Sequence, residues 1–213
     1  GRYARSADVL RAHLSESALI RHRIRIEAAW LLALATEQPA GLPATATLSP
    51  ALLAVATGLS RDPPASAAAA VKALEQRTNH DVKAVEYFVR DQLTAAGAAP
   101  AALELVHFGC TSEDINNLAY ALMLVEARQE ALQVTAQVLQ HLQGLARDHA
   151  ALAMLSRTHG QTASPTTLGK EFANVAARLE RAETRWAAVI ARGKWNGAVG
   201  NFNAHVAAAP QAD

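Results

Sequence analysis

The stretch SEDINNLAYALMLVEARQEALQVTAQVLQHLQGLARDH, residues 112–149, contains no proline and a single glycine, Gly144. At 1.5 Å per residue an unbroken helix over it is about 57 Å long. Leu118, Leu122, Val125, Leu132, Ala136 and Leu139 keep a 4-3 spacing, and Ala121, Leu124, Val134, Val138, Leu142 and Leu145 form a second stripe beside them. Two stripes require neighbours on more than one side. The pattern therefore predicts a helix bundle formed between subunits, with a helix bent back at Gly144 as the alternative.

The segments on either side also read as helices. Downstream, residues 150–165 are expected to be a connector and residues 166–192 a second long helix with Leu168, Phe172, Val175, Leu179, Ala182 and Val189 on its apolar face. Residues 194–213 bring no new hydrophobic segment, so the chain is expected to stop in mid-fold. Upstream, Ser15 caps a helix over residues 15–37, and residues 40–49 read as a loop. Pro50 opens a short helix ending at Gly58. A further helix runs from 62–64 to about 76, and an amphipathic one over 81–96 is closed by Gly97.

Composition agrees with helices throughout. Alanine supplies about a quarter of the 213 residues and aromatics only 5%, a balance that favours helix over sheet. The expected class is all-α. Twenty Lys and Arg against 19 Asp and Glu leave a net charge of +1, which gives no field to attract nucleic acid or an anionic membrane. The longest apolar run, residues 28–35, is far below the roughly 20 residues of a membrane span. One cysteine, Cys110, excludes an internal disulfide and suggests the cytoplasm.

Four polar stretches interrupt the helices: Gly1-Arg2-Tyr3, Arg77-Thr78-Asn79-His80-Asp81, Cys110-Thr111-Ser112-Glu113-Asp114-Ile115-Asn116-Asn117 and Ser156-Arg157-Thr158-His159-Gly160-Gln161. Thr111 and Ser112 stand before the longest helix, where unpaired N–H groups and the helix dipole suit a carboxylate or phosphate; plain capping is the other reading, and the two are compatible. His80 beside Asp81 is either a proton donor of raised pKa or a turn residue, with Asp81 placed to cap the next helix. His159 lies in a Gly-bearing connector from which it can reach a groove, yet spacing supplies it with no nucleophile and no metal pair. The histidines form no metal-binding motif. Cys110 reads as a small buried hydrophobe, and Arg21-His22-Arg23-Ile24-Arg25 as a solvated helix face.

The segments Arg77-Thr78-Asn79-His80-Asp81-Val82-Lys83-Ala84-Val85-Glu86-Tyr87, Thr111-Ser112-Glu113-Asp114-Ile115-Asn116-Asn117, Ser156-Arg157-Thr158-His159-Gly160-Gln161 and Asn196-Gly197-Ala198-Val199-Gly200-Asn201-Phe202-Asn203-Ala204-His205 resemble, in order and spacing, the adenylosuccinate lyase family of the fumarase/aspartase superfamily. The resemblance covers essentially the whole chain. It implies an N-terminal domain of short helices, residues 1–110, followed by the first part of a long-helix bundle domain, residues 111–213. It also implies elimination of fumarate from adenylosuccinate, and from the succinyl-carboxamide imidazole ribotide of purine biosynthesis, by general acid/base catalysis without metal or organic cofactor. On the same basis His159 is the acid, and Thr111 and Ser112 hold the succinyl carboxylate of this small nucleotide substrate. Arg2, Tyr3, Asn79, His80 and Asp81 are its nucleotide end. Asn201, Asn203 and His205 line the pocket without a definite role. The family's homotetramer builds each site from three chains.

Two departures qualify the likeness. The chain begins at the glycine of the family's Gly-Arg-Tyr, and the superfamily's Gly-Ser-Ser-x-Met-Pro-x-Lys-x-Asn loop, which carries the serine base, occurs nowhere here; Thr162, where the family often has proline, is a minor change. The expectation is an N-terminal half that is inactive alone. A catalytically silent assembly module of helices is the alternative from another class, and argininosuccinate lyase or fumarase the alternatives within the superfamily. Gly1-Arg2-Tyr3 and Asn79-His80-Asp81 favour the purine branch.

Overall fold

The computed structural model describes residues 2–42 and 46–211. Gly1 of the first polar stretch and residues 43–45 of the expected loop lie outside these. In chain order the elements are α1 (Asp8–Leu14), α2 (Glu16–Glu37), α3 (Pro50–Arg61), α4 (Ala67–Thr78), α5 (Asp81–Ala95), α6 (Pro100–Leu103), α7 (Ser112–Asp148), β1 (Ala153–Thr158), β2 (Gln161–Thr167), α8 (Leu168–Ala187) and α9 (Asn203–Ala208). The helical class holds, and α7 is one unbroken helix through Gly144. Among the described residues no helix is long and apolar enough to cross a membrane.

Contacts divide the chain into two units, Gly1–Val125 with Ala191–Asp213, and Glu126–Ile190. In the first, α2 is the central element. Its start is capped by Ser15, whose hydroxyl accepts from the Ala18 N–H, and it ends at Gln38 in the left-handed conformation. Ile20, Ile24, Ala28, Leu31 and Leu34 repeat at three- and four-residue intervals along one face. They pack against Leu52, Ala56 and Leu59 of α3, Val71 of α4 and Val85, Phe88, Val89 and Leu93 of α5. Each fully buried aliphatic side chain here stabilises the fold by about 1.5–3 kcal/mol. Pro50 opens α3 as expected, but the helix continues through Gly58 to Arg61. A second, smaller cluster joins Ile26 of α2, Val82 of α5 and Ile115 and Ala119 of α7, so the first turns of α7 are seated on two other helices.

The second unit is an antiparallel helix pair with a hairpin at one end. Leu168 donates its N–H to the Leu152 carbonyl and Gly169 to that of His149, each at 2.9 Å, which ties the start of α8 to the end of α7. At the opposite end the Arg128 guanidinium donates to the carbonyls of Trp186 and Val189. Helix α8 stops at Ala187, short of the expected Arg192, because these terminal carbonyls take an arginine in place of another helical turn.

Residues 150–165, expected to be a connector, instead form most of an antiparallel hairpin. Ala153 pairs with Thr167 and Thr158 with Gln161, and the register shifts by one between Leu155 and Arg157. The ladder closes on the two-residue turn His159-Gly160, with φ of +52° and +74°, the backbone signature of a turn that matches strand twist.

Two glycines in this unit have opposite requirements. A Cβ on Gly169 would stand 2.3 Å from the Ala146 carbonyl oxygen and 2.7 Å from the Ala150 Cα, both backbone atoms that cannot yield. One on Gly144 meets nothing within 4 Å. Gly169→Ala is expected to destabilise by about 1–3 kcal/mol, whereas Gly144→Ala should stabilise by about 0.5–1 kcal/mol through helix propensity. Denaturant unfolding of the two variants checks both signs.

Candidate functional site

Thr111 precedes the longest helix, and its backbone N–H is donated at 2.9 Å to Asp114 Oδ2 rather than left to solvent. Asp114 is completely buried. Its other oxygen, Oδ1, receives the Lys194 ammonium at 2.8 Å and the Asn196 N–H at 3.1 Å. Burial opposes ionisation, but Lys194 and the two backbone donors outweigh it and hold the carboxyl below its ordinary pKa. One turn further on, the Asn117 side chain accepts from the Lys194 N–H at 2.8 Å and donates to the Lys194 carbonyl at 3.1 Å. Asp114 and Asn117 thus clamp residues 194–196 onto the start of α7.

The Asn79-His80-Asp81 turn is fixed in the same unit by a second network. Asn79 ends α4 in the left-handed conformation with φ of +50°. The Thr78 hydroxyl accepts from the His80 N–H and donates to the His80 carbonyl. Helix α5 is capped by His80 and not by Asp81: His80 Nδ1 accepts from the Lys83 N–H at 3.2 Å, which leaves the ring proton on Nε2. Asp81 is freed from capping and reaches the Arg23 guanidinium at 2.7 Å. Arg23 also donates to Asn116 Oδ1 at 2.8 Å, so one arginine of α2 ties the start of α5 to the start of α7. Burial raises the Asp81 pKa, but the Val82 N–H and Arg23 prevail and lower it. Beside this turn Leu74, Arg77, Thr78, Lys83, Tyr87 and Asp91 line a groove of about 430 Å³.

The reading of residues 21–25 as a solvated face is therefore corrected. Arg23 is 5% exposed and His22 fully buried. Arg23 lies four residues after Leu19 and three before Ile26, and both pack in the smaller cluster, so its position on the helix was the signal that marked it as inward-facing. A further pair escaped the sequence reading. Glu27 of α2 is fully buried and lies 2.6 Å from His107 Nδ1, in the segment leading to Thr111. Burial raises the Glu27 pKa against the pull of His107. Burial also lowers that of His107, yet its hydrogen bond and charge interaction with Glu27 leave it raised.

Among the described residues Arg2 and Tyr3 meet each other, with the guanidinium 5.6 Å from the ring centroid, and are not joined to the Asn79-His80-Asp81 turn. Cys110 donates from its thiol to the Phe108 carbonyl, and burial pushes its pKa up, as a non-reactive cysteine requires. His205 packs edge-on to Trp30 and Phe202. His159 belongs to the other unit, exposed at the hairpin tip with its backbone in the left-handed region. An imidazole held there on two paired strands can donate a proton outward.

A family model described as Lyase matches residues 1–213. Adenylosuccinate lyase of Legionella pneumophila strain Corby is 43% identical over 214 residues, covering 100% of this chain and 46% of the relative. The enzyme of that name from Escherichia coli K12 is 44% identical over 216 residues with the same coverage. The chain therefore spans about half the length of the curated relatives it matches. Among solved structures, a fumarate lyase from Mesorhizobium sp. BNC1 superposes with a TM-score of 0.74 at 18% identity, over 96% of this chain and 45% of that one. A 3-carboxy-cis,cis-muconate lactonizing enzyme from Pseudomonas putida gives 0.73 at 23% identity, over 96% and 44%. At these identities the structural likeness establishes the fold.

The two networks set opposite pH limits on stability. Asp81 and Asp114 titrate lower in the folded chain than in the unfolded one. Their contribution is complete above the ordinary carboxylate range and is lost as pH falls below about 4. Glu27 and His107 titrate higher when folded, so their contribution is complete at low pH and is lost as pH rises through their folded values. Unfolding free energy measured against pH is expected to fall at both ends. Asp114→Asn should flatten the acid limb, and Glu27→Gln, which removes both the buried carboxyl and the partner that raises His107, the alkaline one.

Proposed function

The chain belongs to the lyase family whose model matches it from end to end, and on that premise we propose that it is the N-terminal part of an adenylosuccinate lyase. The observation that carries this reading is identity of 43–44% to relatives of that name along the whole chain. The reaction is elimination of fumarate from adenylosuccinate, and from the succinyl-carboxamide imidazole ribotide. A base takes the proton from the carbon beside a carboxylate, the extra charge collects on that carboxylate, and an acid protonates the departing nitrogen.

In this scheme His159 is the acid. The hairpin turn suits it to the task, because two paired strands restrict where the imidazole lies while leaving it uncovered. Thr111 and Ser112 hold the succinyl carboxylate at the positive end of α7. Arg2, Tyr3, Asn79, His80 and Asp81 receive the nucleotide. Asp81 acts from behind, since its carboxylate is turned to Arg23 and positions the His80 turn. The base lies on the family's Ser-bearing loop, outside these residues. No step calls on a metal or organic cofactor.

The longer protein is a cytoplasmic homotetramer in this reading. Residues 1–110 form its N-terminal domain and 111–213 the first part of its central bundle. Leu124, Val134 and Val138 of α7 and Val175 of α8 are about half exposed or more, which supports further helices packing on them from other subunits. His159 and Thr111 of one pocket then come from different chains.

Fumarate release by the longer protein is the test. His159→Gln is expected to lower kcat by roughly 10²–10⁴-fold, with folding unchanged by circular dichroism because the residue is exposed at a turn. An unchanged kcat would refute the assignment.

The 213-residue chain by itself should show no turnover, since loss of a catalytic base commonly removes several orders of magnitude of rate. Equal rates per site in the chain and the longer protein would place the base among these residues, with Glu113 and His80 the first to examine.

A further inference from the structure

We propose that Lys194 is a charge-compensating residue for the carboxylate end of the site, cancelling Asp114 so that the start of α7 can accept a substrate carboxylate; this rests on the reading of Thr111 and Ser112 given above. The difficulty it resolves is electrostatic. Asp114 stands in the first turn of α7 with one oxygen 2.9 Å from the Thr111 N–H. A full negative charge therefore lies on the very group whose neighbours are to bind an anion. Left alone it would saturate the positive end of the helix and repel a second carboxylate.

Lys194 is held where it answers that charge. Its ammonium is 2.8 Å from Asp114 Oδ1 and 2.7 Å from the Gly197 carbonyl, so two of its three protons are directed. Its own backbone is gripped on both sides by Asn117, which belongs to the same helix start. The ammonium leaves Asp114 only by giving up both of its contacts, while the two Asn117 bonds keep the backbone of the lysine beside the helix start. Hydrogen bonding alone does not explain the choice of residue: the Thr111 and Asn196 N–H groups already give Asp114 a donor on each oxygen, and what Lys194 adds is positive charge.

The experiment uses the longer protein and two probes, fumarate, which carries the carboxylates, and AMP, which lacks the succinyl group. Binding is measured by calorimetry for the wild type, Lys194→Met, Asp114→Asn and the double variant. Lys194→Met should weaken fumarate by at least about fivefold while AMP affinity stays within about twofold, and added salt should narrow the fumarate difference. In the double variant the uncompensated charge is gone, so fumarate affinity should return to near the wild-type value. Lys194→Gln, which keeps a donor without charge, and Lys194→Arg, which keeps the charge, supply the same contrast if the methionine variant does not fold. Equal loss of both probes, or no recovery in the double variant, would show a purely structural pair and overturn the inference alone. A wild type that binds neither probe overturns the functional reading and this inference with it.

Discussion

A carboxylate with no exposure to water has to be met by donors, and at Asp114 those donors come from the residue just before its helix and from a segment some eighty residues later in the chain. An isolated buried charge costs several kcal/mol. That cost is offset only when Thr111, Lys194 and Asn196 are all in place, so the network forms as a unit. Once it has formed, the start of α7 and residues 194–196 have no independent freedom. The polar residues near Thr111 therefore also form the bracket that sets where the helix begins.

Arg23 does for the interior of the first unit what Asp114 does for the helix start. Its guanidinium is planar and forked, and one edge can serve two acceptors on different helices, Asp81 and Asn116. A lysine at this place would offer a point charge without the fork. Because Asp81 is occupied inward, His80 takes over the capping of α5, and Nδ1 of its ring is committed to the Lys83 N–H. The orientation of a candidate binding histidine is thus decided by an arginine on another helix.

The longer helices were legible in the sequence because their signals are local, whereas the short α1, α6 and α9 were not read from it. Ser15 and Pro50 mark starts, Gly97 marks a stop, and the 4-3 stripes of α7 need only spacing to be seen. The hairpin was not, since Ala153–Thr158 and Gln161–Thr167 are short, polar and interrupted by Pro165, and its turn is His-Gly rather than the Asn-Gly that announces such turns. Thr111, Ser112 and the Asn79-His80-Asp81 turn stood out as polar interruptions. Arg23, His107 and Lys194 did not, because their partners Asp81, Glu27 and Asp114 lie 58 to 80 residues away in sequence. Periodicity reports which face of a helix is buried and says nothing about which charge will be found there.

The turn that hid from the sequence reading also constrains its interpretation. A histidine with φ of +52° gives up roughly 1 kcal/mol relative to glycine or asparagine in the same conformation. Nothing in the hairpin repays this, since the side chain is exposed and the ladder is satisfied by backbone groups alone. The imidazole is therefore dispensable to the fold. In the proposed function the strands supply the precision of placement, and whatever the imidazole acts upon is brought to it.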